Sequence, residues 1–138
     1  MNQFLLLLAI VPIACFNLTA ILNPRLKWRL TGLAFGLVIA PVSLCLLQYV
    51  YVPVLGKLFG LAGLILNLIH GSVGYFVALG MGLQQPGELL AGSEMAMINV
   101  INGVIWATYY GILGYHFDVK QAAGATEAVE EYEEELIL

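Results

Sequence analysis

Charge is what this sequence most lacks. Of its 138 residues, 10% are Asp, Glu, Lys or Arg, against about 25% in an average soluble domain. A soluble domain of this length has a large surface for its volume, and that surface must be mostly polar. Five basic and nine acidic side chains cannot cover it. A soluble enzyme, a nucleic-acid binder and a disordered chain therefore all fit poorly. Basic residues are too few to form a patch that would neutralise a phosphate backbone. Cysteine is also scarce. Cys15 and Cys45 both lie inside apolar runs, with no Cys-x-x-Cys and no Cys/His spacing suited to a metal, so they are taken as small buried hydrophobes. No carboxylate falls within the long apolar stretches, and Ser43, Ser72 and Ser93 have no evident base and orienter. The chain is expected to be non-enzymatic and to need neither metal nor cofactor.

What the chain does contain is apolar length: 61% of its residues are hydrophobic, and its mean hydropathy is +0.91. A helix needs about 20 apolar residues to cross a ~30 Å hydrocarbon core. Four stretches meet that length, Phe4–Leu22, Leu30–Val52, Leu58–Leu83 and Met95–Phe117, and none contains Asp, Glu, Lys or Arg. The first has no basic residue before it and continues past Cys15, so it is read as a retained span and not a cleaved signal. Asn23-Pro24, Pro53 and Gln85-Pro86-Gly87 mark the connectors. The fold class that follows is an all-α membrane protein. Its four transmembrane helices form an up-down antiparallel bundle over residues 1–117, and residues 118–138 form an acidic, partly helical tail. Pro12 and Pro41 fall mid-span, where each frees a carbonyl and acts as a kink.

Lipid tails are as apolar as leucine, so membrane helices associate by close backbone packing and by hydrogen bonds. Fifteen glycines supply smooth faces. Gly32, Gly36 and Ala40 recur every four residues on the second span. On the third, His70, Gly74 and Ala78 make one row, and Gly63, Asn67 and Gly71 a parallel one. Asn99, Gly103, Ala107 and Gly111 line the fourth. Residues four apart stay close to one helix face. The third and fourth spans also carry polar groups in their grooves, so these two are expected to pack tightly against each other.

His70 is the sharpest feature, because an ionisable group near the middle of a span is a functional hypothesis by default. It reads first as a structural hydrogen-bonding residue. Other readings make it a proton or substrate contact, or a haem or chlorophyll ligand. Asn67, His70, Asn99 and Asn102 together make a candidate polar row. Trp106, Tyr109 and Tyr110 are taken as packing aromatics. His116 is expected at an interface near Asp118. Glu88 and Glu94 flank one connector with no histidine expected nearby.

Residues 118–138 carry seven carboxylates against Lys120, while Arg25, Lys27 and Arg29 cluster in the first connector. By the positive-inside rule that connector is assigned to the cytoplasm, with both termini outside, in a bacterial inner membrane. In the tail, Val129, Tyr132 and Leu136 share one face of a short amphipathic helix, a candidate docking segment. The functional expectation is an accessory, structural or assembly subunit of a larger membrane complex, contacting lipid and other membrane subunits or copies of itself. The alternatives are a small oligomeric transporter or channel and a pigment-binding subunit.

Overall fold

The structure, a computed structural model, describes residues 7–53, 55–87 and 92–135, with side chains as far as 126. Every regular element among these residues is helical: α1 (Ile10–Leu22), α2 (Lys27–Leu47), α3 (Leu55–His70), α4 (Ser72–Gly80) and α5 (Gly92–Glu135). Short 3₁₀ turns at Pro24–Leu26 and Gln48–Tyr51 flank α2. Three stretches, Pro24–Tyr51, Leu55–Gly80 and Gly92–Thr126, are long and apolar enough to cross a membrane.

The first expected span differs. Its start at Phe4 lies outside the described residues, and α1 has 13 residues, about 20 Å of helix. Pro12 sits in the first turn of α1, just after the 3₁₀ turn at 7–9. Pro41 does lie inside α2. The carbonyl it frees, that of Leu37, faces Gly103 on α5, whose bare Cα lets the two backbones approach. The acidic tail is not a separate helix either. α5 runs through Asp118 without a break, and its 44 residues measure about 66 Å. The tail positions Val129, Tyr132 and Leu136 lie outside the described side chains.

α2 is the hub, with its largest interface against α5 and the next against α3. α1 leans on α2, and α4 packs on α5. The register along α2 and α5 is continuous. Trp28 meets Asp118, Gly32 meets Tyr110, Gly36 meets Trp106 and Ala107, and Leu37 meets Gly103. As one number rises the other falls, so the two helices are antiparallel. α3 is also antiparallel to α2: Val50 meets Gly60, Leu46 and Leu47 meet Gly63, and Ser43 meets Asn67. An up-down order of four spans would have made the second and fourth helices parallel. In the observed arrangement Leu55 and Gly92 lie at the same end of the α2–α5 pair. The first connector and the start of the tail share the other end. The expected close pairing of the third and fourth spans holds for α4 and for His70 at the end of α3, while the rest of α3 packs mainly on α2.

The α2–α5 seam is made by absence of side chains. A Cβ on Gly32 or Gly36 would fall inside the backbone of Tyr110 or of Trp106 and Ala107, and one on Gly114 inside that of Trp28. Asp118 closes one end of this seam. Its carboxylate, 7% exposed, accepts from the Trp28 N–H at 3.0 Å and the Arg29 N–H at 2.9 Å. These are two of the orphan donors in the first turn of α2, where a negative charge also suits the helix dipole. Trp28 Nε1 donates to Gln121 Oε1 at 3.2 Å. Two of the three cations of this connector lie on rings, Lys27 over Phe16 and Trp28, and Arg29 over Tyr115.

Candidate functional site

The helical hydrogen-bond ladder of the third apolar stretch is interrupted at Gly71, between α3 and α4. In a continuous helix the Gly74 N–H would donate to the His70 carbonyl. Here both groups are taken by side chains of α5. Gly74 N–H donates to Asn102 Oδ1 at 2.6 Å, and Trp106 Nε1 donates to the His70 carbonyl at 2.9 Å. Asn102 Nδ2 also donates to the Gly71 carbonyl at 2.9 Å. The Asn102 amide thus inserts into the break, with its side chain 0% exposed. Gly74 is a close-approach position, because a Cβ there would lie 2.6 Å from Asn102 Cγ and 2.7 Å from the Ile98 carbonyl oxygen.

His70 is 5% exposed. Its Nδ1 lies 3.0 Å from the Leu66 carbonyl oxygen, and its Nε2 lies 2.8 Å from the Tyr110 hydroxyl. A carbonyl can only accept, so Nδ1 carries the proton, and in the neutral ring Nε2 accepts from Tyr110. Both nitrogens are therefore engaged within the chain. The ring also packs on Trp106, with centroids 4.5 Å apart, and stacks on Tyr110 at 5.9 Å. Phe35 meets Tyr110 edge-on at 5.0 Å.

No family model matches this chain, and comparison with curated proteins and with solved structures finds no match either.

The four residues of the candidate polar row divide between two places. His70 and Asn102 meet at the break. Asn67 folds over Gly71 and lies 3.4 Å from Ser43 of α2. Asn99 lines an open cavity of about 240 Å³ beside the break, together with Asn67, Gly71, Ser72, Tyr75 and Asn102. Of the candidate packing positions, Gly32, Gly36, Ala107 and Gly111 lie in the α2–α5 seam and Gly63 faces α2. Gly74 faces α5, and Ala78 is fully buried. A Cβ on Gly103 would lie at an ordinary 3.5 Å from the Leu37 carbonyl oxygen, and one on Gly71 would meet first the Asn67 of its own preceding turn.

Asn102, Trp106, Tyr110 and Asp118 are each conspicuous in the sequence, but their partners are not, and Gly114 was passed over. Asn102, Trp106 and Tyr110 recur every four residues opposite His70, a spacing visible in the sequence once His70 is taken to need partners. Gly114 and Asp118 continue the small-residue stripe of Gly103, Ala107 and Gly111. His116 is exposed and touches Tyr115, while the Asp118 carboxylate serves α2. Glu88 lies outside the described residues. Gln84, after α4, is buried, and neither of its amide atoms has a hydrogen-bond partner among the described residues.

Proposed function

We propose that the protein is an integral membrane scaffold, an accessory or assembly subunit whose polar intramembrane groups hold its own fold. The observation that carries this reading is the use made of His70 and Asn102. Both ring nitrogens of one and both ends of the other's amide are committed to partners within the chain. Three stretches of membrane-spanning length support insertion. So does the outward face of α3, where Leu58, Phe59, Leu61, Leu64, Ile65 and Leu68 are exposed; such a face suits lipid or other apolar helices. In this reading α2 and α5 cross the bilayer in opposite directions, meeting through the glycine faces of both. The first connector and the acidic tail then share one side. By the positive-inside assignment of Arg25, Lys27 and Arg29 that side is the cytoplasm, so the carboxyl-terminal tail is cytoplasmic and not external.

Purification in mild detergent after cross-linking in the membrane tests the role. The expected result is a complex containing one or more other membrane subunits in fixed ratio. A monomer with no fixed partner overturns it. A second reading, a small oligomeric transporter, draws on the open cavity beside Asn99 and requires a homo-oligomer. A haem or chlorophyll on His70 would have to displace Tyr110 or the Leu66 carbonyl. An absorption spectrum with a Soret or red band in the purified protein would favour it over the scaffold.

A further inference from the structure

We infer that α3 and α4 form a re-entrant segment, which enters the bilayer and leaves it on the same side, and that the cavity at its turning point is a one-sided, water-filled vestibule. This rests on the membrane reading above. α2 is antiparallel to both α3 and α5, so Leu55 and Gly92 lie at one end of the molecule. The chain between them has to return to the end from which it started. Its path is traced by contacts with α5. His70 meets Trp106 and Tyr110, Gly71 meets Asn102, and Gly74 meets Asn102 and the Ile98 carbonyl. Tyr75 lines the cavity with Asn99. Past the break the chain therefore climbs α5 toward Gly92, whereas a straight continuation of α3 would have descended toward Gly111.

The alternative, a full crossing by Leu55–Gly80, would leave the connector 81–91 to carry the chain back through hydrocarbon. That connector holds Gln84, Gln85, Pro86, Gly87 and Glu88. Lipid-exposed irregular backbone does not occur at that depth. Backbone at a mid-depth helix break is tolerated where protein or water satisfies it. Asn102 and Trp106 satisfy part of this one. The cavity of about 240 Å³ is several times the ~30 Å³ that one water occupies. Its lining sets Asn99 and Ser72 among Leu44, Leu68, Met95 and Ile98. The Asn99 amide and the Ser72 hydroxyl supply the polar partners a water needs, while the Asn102 amide is committed at the break.

Single-cysteine labelling with a charged, membrane-impermeant thiol reagent tests both parts. The background is the full chain with Cys15→Ser and Cys45→Ala, labelled in oriented vesicles of each sidedness. The Lys57→Cys and Gln85→Cys variants are expected to label from one face only, and Arg25→Cys and Thr126→Cys from the opposite face only. Asn99→Cys is expected to label from the Gln85 face and to be protected from the other. Tyr75→Cys lines the same cavity and serves as the second position. Labelling of Gln85→Cys from the Arg25 face overturns the re-entrant path and leaves the membrane reading standing. Protection of both cavity positions from both faces overturns the vestibule. Equal labelling of all positions from either face overturns membrane insertion itself.

Discussion

Along the α2–α5 seam the two helices touch backbone to backbone; at the Gly71 break, helix and helix meet through side chains. The seam owes its closeness to missing atoms at Gly32, Gly36 and Gly114, and its Asp118 end is closed by hydrogen bonds between the helices. The break inverts this. Gly74 provides the room, but Asn102, Trp106 and Tyr110 provide the bonds. A seam of bare backbone is intolerant of added volume and indifferent to polarity. A break capped by side chains is intolerant of lost polarity and forgiving of modest changes in shape.

Substitutions of the two kinds separate these behaviours. Gly36→Leu should have the largest effect. Its Cβ has no space beside Trp106 and Ala107, and overpacking of this kind costs about 3 kcal/mol or more. The expected outcome is loss of monodisperse protein in size-exclusion chromatography; a well-folded variant would mean the seam is looser than the register implies. Next comes Asn102→Leu, close in volume but without donor or acceptor. It strands the Gly74 N–H and the Gly71 carbonyl, each at about 1–3 kcal/mol. Reversible unfolding in mixed detergent micelles should show a loss of about 2–4 kcal/mol. A neutral result would mean that water replaces the amide.

Asp118→Ala removes the cap of α2 and should cost about 1–2 kcal/mol, read in the same unfolding assay. It should also raise hydrogen exchange at Trp28 and Arg29; unchanged exchange there would show that the carboxylate does not hold the helix end. The smallest effect belongs to Gly103→Ala. The added Cβ would lie 3.5 Å from its nearest neighbour, the Leu37 carbonyl oxygen, so the variant should be neutral or gain about 0.4–1 kcal/mol from a stiffer unfolded chain. A clear loss at Gly103 would extend the intolerant seam further along α5 than Gly36 and Ala107 place it.

How much of this was legible in the residues alone differs between the two regions. The seam was half visible, because a stripe of small residues at four-residue spacing marks a helix face whatever its partner. Gly32, Gly36, Ala107 and Gly111 were found that way. Which stripe meets which was not visible, because a smooth face carries no information about its mate. The third and fourth spans were expected to pair, and α2 took α5 instead. The break was hidden for a different reason. Gly71 stands among good span residues, and the groups that replace its lost helical bonds lie about thirty residues away.

Composition and hydropathy alone determined that the chain is helical and apolar, with stretches of membrane-crossing length, because hydrophobic periodicity and the scarcity of charge are local properties. They also marked His70 and Asn102 as groups needing partners. Direction, register and the path of the chain past His70 were decided by tertiary structure. Antiparallel α2 and α5 follow from backbones that fit only where Gly32 and Gly36 meet Tyr110 and Ala107. The turn at Gly71 persists because Asn102 and Trp106 accept and donate there in place of the helix's own backbone.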